Sequence, residues 1–139
     1  MQKSFEIIEH TADIGIRAFG DTLPEVYANA ARGLLSLMVA PESVRPSVEE
    51  TVDVNGTDAV DLMVSWLHEI VYRFDTHHRA FATVHIEDFN EWRLRAVLAG
   101  EALDLERHAV GHEVKAVTWH RARVEKTGAG WVAEVYLDL

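Results

Sequence analysis

Hydrophobic and polar positions alternate in the outer parts of the chain and follow a helical period in two interior stretches. Residues 5–10 read as a first strand. In residues 13–20, Ile14, Ile16 and Ala18 alternate with Gly15, Arg17 and Phe19, which predicts a second strand. A helix opens at Asp21-Thr22-Leu23-Pro24-Glu25, where Thr22 and Glu25 have the spacing of a capping box. Leu23, Val26, Tyr27, Ala30, Leu34, Leu37 and Met38 form its apolar stripe, and Pro41 closes it. Residues 48–54 read as a strand ending at the turn signal Asn55-Gly56. Thr57 or Asp58 then caps a second helix, in which Val60, Met63, Val64, Leu67, Ile70, Val71 and Phe74 share one face. Leu62 and Trp66 fall off that stripe, so this helix is expected to bury more than one side.

The remainder is strand-like. Ala82, Val84 and Ile86 alternate with Thr83, His85 and Glu87, and Trp92, Leu94, Ala96 and Leu98 with Arg93, Arg95 and Val97. Strands over 114–124 and 131–137 are joined by Gly128-Ala129-Gly130, a hairpin signal. The order predicts an α+β fold in one domain over 1–139. A mainly antiparallel or mixed sheet would carry both helices on one face.

Composition narrows the chemistry. With 139 residues and 48% hydrophobic content the chain can build one proper core. No apolar run approaches the roughly 20 residues of a membrane span. The start meets Glu6 before any apolar stretch, so no secretory signal is read and a cytoplasmic protein is expected. The absence of cysteine removes disulfides, thiolate metal sites and cysteine nucleophiles. A formal net charge of -10 opposes long-range attraction to a phosphate backbone, so any role in RNA metabolism calls for a bridging protein.

Two segments stand out. In Glu9-His10-Thr11-Ala12-Asp13, two extended runs meet at a polar corner. Asp13 there suits a turn residue bonding its own backbone as well as a ligand. At the other end, Val135-Tyr136-Leu137-Asp138-Leu139 finishes inside an apolar strand, with the Leu139 carboxylate expected beside the Asp138 side chain. Carboxylates so close repel, and a cation relieves them. With Asp13 added, the oxygen-rich set would suit Ca²⁺, Mg²⁺ or Mn²⁺, although sequence alone does not bring the two ends together. Lys115 is expected to emerge from a partly apolar surface shared with Val117 and Trp119. The His77-His78 and His108/His112 pairs lack a third ligand for zinc, and Ser36 and Ser65 lack the glycines of a nucleophile elbow.

Four blocks, Glu9-His10-Thr11-Ala12-Asp13, Ala18-Phe19-Gly20-Asp21-Thr22-Leu23, Glu113-Val114-Lys115-Ala116-Val117-Thr118-Trp119-His120 and Leu137-Asp138-Leu139, resemble the archease family in order and spacing. The resemblance covers essentially the whole chain. It implies a divalent metal site at Asp13 and Asp138, with a terminal or main-chain oxygen of Leu139. It also implies partner-activating roles for Lys115 and for Glu25 at an acidic helix position. Trp119 stands where tyrosine is common and Leu139 where isoleucine is common, and neither change removes a ligand.

The function implied is that of a non-enzymatic accessory factor for an RtcB-type RNA ligase in tRNA splicing or RNA repair. Such a factor promotes guanylylation of the ligase and its multiple turnover, and meets RNA only through that partner. No membrane is involved in this reading. Two other classes stay open: a chaperone-like modulator of nucleic-acid-processing proteins, and a small metal-dependent hydrolase using the same carboxylates.

Overall fold

A computed structural model describes residues 3–9 and 13–139. The elements run β1 (Phe5–Glu9), β2 (Ile14–Gly20), α1 (Leu23–Met38), a 3₁₀ turn (Pro41–Ser43), β3 (Val48–Asn55), α2 (Ala59–His77), β4 (Arg79–Asn90), β5 (Arg93–Ala102), β6 (Ala116–Thr127) and β7 (Gly130–Asp138). The α+β class holds, and every strand pairing is antiparallel. The strands divide between two sheets, ordered β1-β2-β7-β6 and β3-β5-β4.

The helices form a layer shared by both sheets. α1 packs on β1, β2 and β7 of one sheet and on β4 of the other, while α2 packs on β6 and on β3, β4 and β5. This placement explains why Leu62 and Trp66, off the main stripe of α2, are both fully buried. The Trp66 indole N–H donates to the Tyr27 carbonyl at 3.0 Å, so the two helices are joined by a directional bond as well as by packing.

Both helix starts use acidic side chains one step earlier than a simple capping box. Thr22 Oγ1 accepts from the Glu25 amide at 3.3 Å, but the Glu25 carboxylate reaches the amide of Asp21, not that of Thr22. At α2 the cap is Asp58, which accepts from the Asp61 amide at 2.8 Å, and Asp61 in turn accepts from the Thr57 amide. α2 ends on His78, held at a left-handed φ of 52°, with its N–H on the Arg73 and Phe74 carbonyls. The His77-His78 pair is thereby a helix terminus.

The strand expected from residue 114 begins at Ala116 instead. Residues before it are drawn to the end of α1, where the Gly111 and His112 amides donate to the Met38 and Leu37 carbonyls. A Cβ at Gly111 would stand 2.4 Å from the Leu37 oxygen, so this close approach requires glycine. His108 is buried in the same connection: its Nδ1 accepts from the Asp104 amide and its Nε2–H donates to Glu101. It serves the packing of that loop, while His112 is exposed.

Candidate functional site

β2 and β7 are neighbours, and their last recorded pair at this end is Ile14 with Leu137. Continued one step beyond the paired residues, the same register would set Asp13 opposite Asp138. Directly opposite residues in such a pair have Cβ atoms about 4.5–5.5 Å apart. Asp138 also pairs with Ala116 across β6, and its carbonyl accepts from the Lys115 amide at 2.8 Å. Three segments distant in sequence, around 13, 115 and 138, thus meet at one sheet edge.

The strand alternation decides where the side chains go. Ile14 and Leu137 are buried in the core, whereas Tyr136 covers Gly15 on the opposite face. Asp13 and Asp138 share the parity of Gly15 and Tyr136, so both belong to the face away from the helices. Asp13 is half-buried, Asp138 exposed, and Leu139 is 40% exposed. His10, Thr11 and Ala12 lie outside the described residues.

Two facing carboxylates repel, and a bound cation is the simplest relief. The donors are oxygen only, which suits hard divalent ions rather than soft ones. Two side chains fall short of the six to eight oxygens that calcium takes, so a main-chain oxygen of Leu139, water or a partner's groups would complete the shell. Among the described residues, no cluster of three or more His, Asp or Glu side chains stands ready to hold a metal.

The structure separates the other named residues. Lys115 precedes β6 and is exposed, and among the described residues it makes no ion pair. The apolar surface expected around it is split, because Val117 is buried in the core while Trp119 is 60% exposed. Glu25 does not join the edge. It caps α1 beyond the far end of β2, roughly 20 Å from Asp13 at about 3.3 Å per strand residue.

Beside the acidic edge the sheet face is tied together by Glu134, which is nearly buried. It accepts from Arg17 at 3.0 Å, Arg123 at 3.1 Å and the Tyr136 hydroxyl. Burial pushes its carboxyl up, but these donors outweigh that and hold it below its ordinary value. Arg17 extends the network to Glu6 at 2.7 Å. Between Thr118 and Arg123 the β6–β7 register breaks, and Arg121, at a φ of 57°, lies over the Tyr136 ring at 5.5 Å. Sequence reading did not single out Glu134; its signal was a lone acid inside the apolar run 132–137, facing Arg17 across the strand pair.

A groove of about 660 Å³ begins at Ala116 and Val117 and runs between β6 and α2, with Trp119, Tyr72, His68 and Glu69 along it. Trp119 and Tyr72 are 60% and 48% exposed, and sequence offers no means of telling such aromatics from core ones.

The two-sheet fold with its shared helix layer is one that known proteins share. The family model described as "Archease protein family (MTH1598/TM1083)" matches residues 5–139. The chain is 36% identical to the protein archease of Methanopyrus kandleri, covering 97% of this chain and 99% of that one. It is 38% identical to that of Thermococcus gammatolerans, with 99% of each covered. The solution structure of Methanobacterium thermoautotrophicum protein 1598 superposes with a TM-score of 0.82 at 32% identity, covering 99% of this chain and 100% of that one. The fold is shared with a Thermotoga maritima protein described as an archease, possible chaperone, at a TM-score of 0.67 and 20% identity, over 100% of this chain and 98% of that one. This chain belongs to the archease family.

Proposed function

We propose that this protein is an accessory factor that activates an RNA ligase of the RtcB type in tRNA splicing or RNA repair, acting through the acidic edge. The observation that carries the reading is the β2–β7 register, whose Ile14–Leu137 pair adjoins Asp13 and Asp138, with the Lys115 amide bonded to the Asp138 carbonyl. Membership of the archease family is in keeping with this partner class, and a net charge of -10 argues that RNA is met through that partner.

In this mechanism the protruding Asp138 and the half-buried Asp13 present two acceptors to the ligase's active-site entrance. Asp13 and Asp138, with a main-chain oxygen of Leu139, would hold a divalent ion there, which would supply positive charge for nucleotide phosphates during guanylylation. The exposed Lys115 ammonium is free to reach a phosphate or an acidic group of the partner. The groove from Ala116 to Trp119 gives the partner an apolar contact next to the charged one. In this reading the chain acts as a non-catalytic factor that presents Asp13 and the exposed Asp138 to its partner.

The test is ligation of 2′,3′-cyclic-phosphate and 5′-hydroxyl RNA ends over many turnovers by an RtcB-type ligase, with and without this protein. Asp13→Ala and Asp138→Ala should each abolish stimulation while far-ultraviolet dichroism stays unchanged, and Lys115→Ala should weaken it. Full stimulation by both aspartate variants would overturn the reading.

The apolar groove also favours a second reading, the chaperone-like modulator, in line with the description of the Thermotoga maritima protein. That activity would suppress aggregation of unrelated proteins, respond to Trp119→Ala, and ignore Asp13→Ala.

A further inference from the structure

A second recess lies at the end of β2 opposite the acidic edge, where Gly20 pairs with Trp131. Its volume is about 260 Å³, and its lining residues include Tyr27, Phe89, Trp92 and Trp131 with the acids Asp58 and Glu91. Four aromatic rings and two acids in so small a space make an unusual pairing of surfaces. The Tyr27 and Phe89 rings meet at 4.9 Å between centroids, tilted by 56°. The Tyr27 hydroxyl is engaged, donating to the Ala59 carbonyl at 2.6 Å. Burial pushes that hydroxyl well above its ordinary range and the Asp58 charge adds to the shift, so Tyr27 stays neutral and offers its ring.

The two acids retain acceptor capacity. Asp58 commits Oδ1 to the Asp61 amide, which leaves Oδ2. Glu91 sits in the turn between β4 and β5 and, among the described residues, makes no hydrogen bond or ion pair. Trp92, next to it, is 57% exposed.

The sign of the field is a contest, because both helices begin here. A helix N-terminus carries about half a positive charge and by itself favours anions. At these two starts, however, the first amides are already capped by Thr22 and Asp58, and Glu25 and Asp61 sit in the first turns. Against that residue of positive charge stand two full negative charges in the wall. The negative side wins, and aromatic faces add to the attraction for a cation.

We propose that this recess receives one arginine side chain from a basic segment of a protein partner. Arginine is favoured over lysine because a planar guanidinium stacks on an indole while its forked donors reach two separate carboxylates. At about 260 Å³ the recess falls below the roughly 300–1,000 Å³ of small-molecule pockets. The site lies at the far end from Asp13 and Asp138, so it stands or falls independently of the proposed activation mechanism.

The experiment is a nuclear magnetic resonance titration of the isotope-labelled full chain with a blocked Gly-Arg-Gly peptide, following the indole N–H signals of the four tryptophans. Trp92 and Trp131 should shift saturably, with Trp66 and Trp119 unmoved. The citrulline peptide, equal in size but neutral, should bind at least tenfold more weakly, and the lysine peptide should fall between. Glu91→Gln and Trp92→Ala, both in an exposed turn, should each weaken the arginine peptide at least tenfold with the core methyl signals unchanged. Equal shifts from the citrulline peptide, or affinity untouched by both variants, would overturn the proposal. So would silent Trp92 and Trp131 signals at millimolar peptide.

Discussion

Glu101 gathers the Arg107 guanidinium at 2.6 Å and 2.8 Å, the Arg45 amide at 2.7 Å and the His108 ring at 3.0 Å. The Arg107 pairing above all, then the Arg45 amide and His108, holds its carboxyl far below its ordinary value of 4.5. A carboxyl depressed in the folded state stabilises the fold fully above its unfolded value, and the contribution fades as pH falls below it. Acid unfolding followed by dichroism should therefore show Glu101→Gln less stable than the parent at pH 7, with the difference shrinking below about pH 4. A constant difference down to pH 2 would contradict the assignment. Gly100, its neighbour, is fixed by space: a Cβ there would stand 1.9 Å from the Ala80 carbonyl oxygen. Gly100→Ala should destabilise by about 1–3 kcal/mol in urea unfolding, the usual range for overpacking.

Among the elements, the two helices are joined by a directional bond as well as by packing. Trp66→Phe removes the indole donor to the Tyr27 carbonyl and leaves a void in the shared layer. A loss of about 1–3 kcal/mol is expected in the same assay. Element by element, both helices and most strands were legible from periodicity, because each buries a continuous stripe. What periodicity could not give was the partition into two sheets. A strand's pattern shows that one face is buried, and a helix layer covered on two sides satisfies two sheets at once. The start of β6 was misread for a related reason. Val114 is apolar because it packs against the core from the loop, so its burial imitated the alternation of a strand. Arg121, at a left-handed φ inside the β6 bulge, left no sequence signal that glycine would have given.

At the scale of the whole molecule, the distribution of chemistry is polar. One end of the first sheet carries Asp13, Asp138 and Lys115, and the other carries the aromatic recess with Asp58 and Glu91. The residues of the acidic edge were named in the sequence, but their meeting was not visible there, since only the β2–β7 register joins the corner after β1 to the end of β7. Glu25 was legible as an acid at a helix start, and its position beyond the far end of β2 follows from the chain reversing into α1. No described helix is long and apolar enough to cross a membrane. With a net charge of -10, the protein alone should give no fluorescence anisotropy change with RNA at 0.15 M salt, while a mixture with the ligase should.

The claim beneath the proposed function is that Asp13 and Asp138 act as one cation site, and calorimetric titration with Ca²⁺ tests it directly. The parent should bind at a single site, Asp13→Asn and Asp138→Asn should each weaken binding at least tenfold (about 1.4 kcal/mol), and the double variant should be little worse than either single one. Calcium affinity unchanged in both single variants would contradict it.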